Sequence, residues 1–100
     1  LMTIEKRLAE PLRVERLAEE AGLSQNHLTR LFQRRFKTSV VGYIRHLRTE
    51  RARLLLTSTT QPIKAIASQV GIPDLHLSNK VIRRELGVSP RQVRAKGRAP

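Results

Sequence analysis

From Ser39 to Thr57 the chain reads SVVGYIRHLRTERARLLLT, in which Val40, Ile44, Leu47 and Leu55 fall at helical rather than strand spacing and arginines fill much of the rest. Neither Gly nor Pro interrupts this stretch after Gly42. A continuous helix over Val40 to Leu56 would span roughly 25 Å at about 1.5 Å per residue. The pattern therefore predicts a long central rod. Before it, Thr3 to Glu10 predicts a short helix with Ile4 and Leu8 one turn apart, closed by Pro11. Val14, Leu17, Ala18 and Ala21 then follow an i, i+3, i+4, i+7 pattern that Gly22 stops. Ser24 caps a second helix with an apolar stripe of Leu28, Leu31, Phe32 and Phe36. Two helices around a short Gly-containing turn describe a helix-turn-helix.

The same text returns beyond the rod. Ile63, Ile66, Ala67, Val70 and Gly71 stand 49 residues after Val14, Leu17, Ala18, Ala21 and Gly22. Past the turn the offset becomes 50, with Asp74 in the place of Ser24, Lys80 of Arg30, Val81 and Ile82 of Leu31 and Phe32, and Leu86 of Phe36. One extra residue in the second turn accounts for the slip. Pro62 and Ser89-Pro90 mark further helix starts. The organisation expected is all-α: a first helix-turn-helix subdomain over 1–38, a connecting helix over 39–57, and a second subdomain over 58–100 with a frayed basic tail from Arg94.

Charge adds a partner to this picture. The chain carries 20 Lys and Arg against 8 Asp and Glu, a net +12, and such a balance points to a polyanion. Residues 1–50 hold ten basic and six acidic groups, residues 51–100 ten and two, so the second half should feel phosphate more strongly. With no cysteine, thiolate metal sites, disulfides and cysteine nucleophiles are excluded, which fits a reducing cytoplasm. His27, His46 and His76 lack paired-ligand spacing, and Glu19-Glu20 are adjacent rather than facing, so no enzyme, cofactor or metal is expected. No apolar run approaches the length of a membrane helix. The chain starts at a leucine, which reads as a fragment of something longer.

The segments LAEEAGLSQNHLTRLFQRRF, TS with Tyr43-Ile44, Arg48 and RARLLL in the first part, and IKAIASQVGI, Asp74, RRELGVSP and a closing VR in the second, resemble the DNA-binding domain of the AraC/XylS family of bacterial transcription regulators. The resemblance covers nearly the whole chain. It implies about seven helices, two helix-turn-helix units on a long central helix, sequence-specific double-stranded DNA as partner and two neighbouring major-groove segments as the target. It also implies RNA polymerase as a further partner and a separate effector-binding or dimerisation domain in the full-length protein. Lys37 and Val40 stand where the family commonly has Gly and Pro, so the first unit's exit turn is expected to be weakly set. Ser78 stands where the family has a buried Phe, and either Leu77 or a partner surface could fill the space.

Carried onto this chain, the resemblance places base contacts on Gln25, Asn26, Thr29 and Arg30 in the first unit and on Leu75, His76, Leu77 and Lys80 in the second, with Asn79 added as a possible donor. Asn suits adenine, Arg suits guanine and the Thr methyl suits thymine. Asn26 could instead support its helix start, Arg30 could bind phosphate, and His76 could simply be solvated. Phosphate candidates are Arg34, Arg35, Lys37, Lys64, Arg83, Arg84, Arg91 and Arg94, while Arg48 and Arg51 read as structural. The rival reading is a helical RNA-binding or protein-docking module. A single-stranded RNA partner is disfavoured because the only aromatics, Phe32, Phe36 and Tyr43, sit in apolar or motif positions.

Overall fold

The apolar stripes fold into helices whose ends are set by identifiable caps. In the computed structural model, which describes residues 2–98, the element order is α1 (Met2–Lys6), α2 (Val14–Ala21), α3 (Gln25–Phe36), α4 (Val40–Ser58), α5 (Ile63–Gln69), α6 (Leu75–Leu86) and α7 (Pro90–Arg98). Ser24, Ser39 and Asp74 each accept a hydrogen bond from the backbone N–H three residues on, at 3.1, 2.9 and 3.1 Å. Ser89 and Gln92 form a reciprocal capping box at the start of α7. Each cap supplies an acceptor to N–H groups that would otherwise have no helical partner.

Two cores result, and α4 belongs to both. Val40 and Ile44 from its first half pack with Ile4, Leu8, Leu17, Leu28 and Phe32. Ala52 and Leu56 from its second half pack with Ile66, Val70, Ile82 and Val93. The rod is thus a shared wall between two lobes, and the molecule is elongated, 46 × 23 × 22 Å. The first core is thickened by Phe32, Phe36 and Tyr43, whose ring centroids lie 4.3 to 5.4 Å apart. The second is aliphatic.

The two turns repeat down to their hydrogen bonds. Leu23 N–H reaches the Ala18 carbonyl and Ile72 N–H the Ala67 carbonyl, both at 2.9 Å, with Gly22 and Gly71 in the left-handed region. Past the glycine, the second turn holds one residue more before its N-cap.

Several expectations need correction. α1 stops at Lys6, and residues 7–10 form tight turns, because Pro11 cannot continue the helix and Arg48 donates to the carbonyls of Leu8 and Glu10 at 3.2 and 2.8 Å. Burial pulls the Arg48 guanidinium below its ordinary value, yet it stays charged at any neutral pH. Arg51, read as structural beside it, is exposed. Ala21 and Leu31 are exposed as well: Ala21 ends α2 at the glycine turn, and the buried line of α3 runs through Leu28 and Phe32, leaving Leu31 at its edge. The part of the tail from Arg94 to Arg98 is helical, and Ala99 and Pro100 of the segment expected to fray lie outside the described residues. Ser78 is fully buried while Leu77 is 52% exposed, so Leu77 does not fill the place of the missing aromatic.

The exit turn from α3 is half as expected. Lys37 is the one non-glycine described residue with positive φ, at 59°, which costs a side chain roughly 1 kcal/mol or more. The start of α4 is nevertheless firm, with Ser39 capping and Val40 buried where proline is usual. Lys37→Gly should therefore raise stability by about 1 kcal/mol, seen as a rise of several degrees in thermal midpoint. A lowered midpoint would show that Lys37 makes compensating contacts.

Candidate nucleic-acid interface

The amino-terminal turns of α3 and α6 present the residues expected to read a groove. Gln25, Asn26, Thr29 and Arg30 are all exposed; Asn26 and Arg30 lie opposite the buried Leu28 and Phe32, Thr29 lies on the flank, and Gln25 sits at the helix start one turn before Leu28. Ser24 makes the cap itself, accepting from His27 N–H, so Asn26 is not needed for the helix start. On α6, Leu75, His76, Leu77 and Lys80 are exposed; His76, Leu77 and Lys80 face away from the buried Ser78 and Ile82, and Leu75 sits at the helix start one turn before Ser78. Asn79 differs: its Oδ1 is buried without a hydrogen-bond partner, so in this orientation it can offer a base only N–H donors. Held in this rotamer, with one end of the amide turned inward, it does not present the pair of groups that adenine takes from asparagine.

Basic groups flank these faces. Arg34 and Arg35 lie in the last turn of α3, Arg83 and Arg84 in the last turn of α6, where cations also favour the helix dipole. Arg35 additionally lies over the Phe36 ring, 5.6 Å from its centroid. Lys37, Lys64 and Arg91 are exposed. Arg94 is not among them. Its Nε donates to the Leu56 carbonyl at 3.1 Å and its Nη2 to the carbonyls of Thr59 and Gln61 at 3.3 and 2.6 Å, which binds the end of α4 and the following turn. The phosphate assignment for Arg94 is corrected accordingly. Arg48 does the same work for α1, so each helix-turn-helix is preceded by a turn whose carbonyls an arginine holds. The cue in the sequence was a turn before each Val14-like start, with an arginine on a later helix.

Arg94→Met should cost about 2 kcal/mol, because charge-assisted bonds to half-buried carbonyls are lost. It should leave the salt dependence of any polyanion binding unchanged, whereas removal of a true phosphate contact lowers that slope by roughly one. Urea denaturation and a salt titration separate the two.

Among the described residues no cluster of His, Asp or Glu could hold a metal ion, and no helix is long and apolar enough to cross a membrane.

A pair of capped helix-turn-helix units, each with an uncovered polar and basic helix face and joined by one shared rod, defines a two-headed helix-turn-helix protein. The chain belongs to the AraC-type helix-turn-helix domain family, whose pattern it matches over residues 17–96. It is 36% identical over 92 residues to the transcriptional activator RhaR of Klebsiella pneumoniae, covering 92% of this chain and 33% of that protein. It is 32% identical over 79 residues to the arabinose operon regulatory protein of Escherichia coli, covering 79% and 27%. It thus spans about a third of the length of such regulators. Among solved structures, the C-terminal domain of the response regulator AraT of Geobacillus stearothermophilus matches with a TM-score of 0.91 at 31% identity, covering 95% of this chain and 79% of that one. The DNA-binding domain of the transcriptional factor AdpA, solved in complex with a target DNA, matches with a TM-score of 0.92 at 26% identity, covering 97% and 87%.

Proposed function

We propose that this chain binds double-stranded DNA sequence-specifically as the DNA-binding part of a bacterial transcription regulator, with α3 and α6 entering successive major-groove segments on one face of the duplex. The observation that carries this reading is the duplication itself: two capped helices with uncovered amino-terminal faces, on a body 46 Å long with a net charge of +12. Successive major-groove segments on one face lie about 34 Å apart. The 19-residue α4, roughly 28 Å at about 1.5 Å per residue, supplies most of that reach. The first lobe, residues 1–38, is the main base reader through Gln25, Asn26, Thr29 and Arg30. The second, residues 58–100, is anchored mainly by charge, with Lys80 and His76 reaching the groove and Leu75 and Leu77 suited to thymine methyl groups. Contact with RNA polymerase, and regulation through an effector-binding or dimerisation domain elsewhere in a longer protein, belong to the same reading.

Two features support DNA over RNA. Phe32, Phe36 and Tyr43 pack on one another in the first core, with Phe32 buried and the other two half-buried, so their faces are largely taken up by each other rather than presented to splayed bases. The helix faces carry amide and guanidinium groups of the kind that pair with major-groove edges. Selection of bound sites from random duplex DNA tests the proposal. The expected result is a bipartite site with a sharply defined block and a weakly defined one, centred about one helical turn apart. Enrichment of no common sequence, or of one block alone, would contradict it. Binding to the selected site should weaken with salt at a log–log slope of about −5, from roughly 0.9 per phosphate over most of the seven remaining basic candidates.

A further inference from the structure

Gly22 and Gly71 end their first helices in the same left-handed conformation, with φ of 70° and 87°. Their surroundings differ. Nothing lies within 4 Å of the place a side chain would take on Gly22. On Gly71 the same methyl group would collide with the Leu8 carbonyl oxygen and stand 2.9 and 3.0 Å from Nε and Nη2 of Arg48. The turn of the second helix-turn-helix is therefore pressed onto the last residues of the α1 segment, across the lobe boundary. The Arg48 guanidinium lies at this junction, donating from Nε to Leu8 O and from Nη2 to Glu10 O.

We propose that Arg48, with Gly71, is an inter-lobe latch that sets the angle between the two recognition helices and so the spacing of the two DNA blocks the domain accepts. The proposal rests on the DNA-binding reading for its second half only. Three observations make the contact a determinant of angle. First, the contact of Gly71 with Leu8 O and the Arg48 guanidinium joins the lobes beside α4 rather than along it, so it opposes rotation of one lobe about the rod. Second, the lobes are open beside it: a groove of about 490 Å³ lined by Leu12, Val41, Ile44, Ile72, Leu77 and Val81 separates them, and Val41 and Leu77 are each 52% exposed. Ile44 and Ile72 are buried at its floor, but the apolar packing along its rim is incomplete, which leaves the latch a share in holding the angle. Third, Arg48 and Arg94 each hold carbonyls of their own lobe, but a carbonyl that Arg48 holds, Leu8 O, is the one against which the other lobe presses its turn glycine, Gly71, whereas the equivalent Gly22 meets nothing. Arg48 is a positioning residue and touches no base.

The chain has no cysteine, so nitroxide labels at Gln33→Cys on α3 and Glu85→Cys on α6, both exposed, report the distance between the lobes cleanly. The parent domain should give one narrow distance distribution, and Arg48→Met a clearly broader one. On the selected site, one inserted base pair turns the second block by about 34° and should cost the parent about tenfold in affinity. In Arg48→Met that penalty should fall to threefold or less, while Arg48→Lys, which keeps the charge and a donor, should restore part of the parent's preference. If circular dichroism shows that Arg48→Met has lost its helices, Arg48→Lys is read in its place. A distribution as narrow as the parent's, or a spacing penalty unchanged by the substitution, overturns the latch. The distance is measured without DNA, so a parent domain that binds no DNA fails the groove reading alone, and an unchanged distribution fails the latch alone.

Discussion

Gly71→Ala should remove at least about 3 kcal/mol of stability, against about 1 kcal/mol for Gly22→Ala, although the two glycines occupy equivalent turns. Both changes place a side chain in the left-handed region, and that common penalty is the smaller effect. The larger one is steric. At Gly22 the added methyl group meets nothing, whereas at Gly71 it meets the backbone oxygen of Leu8, which cannot move without disturbing the buried Leu8 side chain and the Arg48 hydrogen bond. A small domain has only about 5–15 kcal/mol to lose, so Gly71→Ala should melt at a visibly lower temperature. Urea denaturation at 25 °C checks the comparison. Equal losses at the two sites would mean that the lobes do not press together in solution.

Arg30→Ala should weaken binding to the selected DNA site by about 1–3 kcal/mol, roughly five- to 150-fold, and should flatten the preference at one or two positions of the first block. The expectation follows from an exposed guanidinium on the open face of a helix whose cap is already supplied by Ser24. Loss of Arg84 from the last turn of α6 should instead weaken all sequences alike and reduce the salt slope by about one. A repeat of the random-site selection with each variant distinguishes the two. Were Arg30→Ala to weaken all sequences equally, Arg30 would be a phosphate contact, and base reading in the first lobe would fall to Gln25, Asn26 and Thr29.

Much of this architecture is legible in the sequence because it is local. Helix positions follow from apolar spacing, and their ends from Ser24, Ser39, Asp74, Gly22, Gly71 and Gly87, each read within a few residues. The 49-to-50 slip in the repeat exposes the longer second turn before any coordinates do. What is missing from the pattern is tertiary. An arginine near the end of a basic chain looks like a phosphate ligand, and only the approach of α7 to the end of α4 turns Arg94 toward three carbonyls. Leu31 and Leu77 satisfy helical apolar spacing yet stand exposed, because the stripe that is buried is narrower than the stripe that is apolar. Asn79 has a suitable side chain, but its oxygen is turned inward. The pressing of Gly71 against Leu8 joins residues more than sixty apart, and the sequence records it only as a second glycine.

If α3 and α6 both enter the groove, Arg30→Ala and Lys80→Ala together should lose at least about 100-fold in affinity at moderate salt, more than either change alone, with circular dichroism unchanged. Gel shift on the selected site over a range of salt concentrations measures this. An affinity equal to the parent's at every salt concentration would contradict entry of both helices.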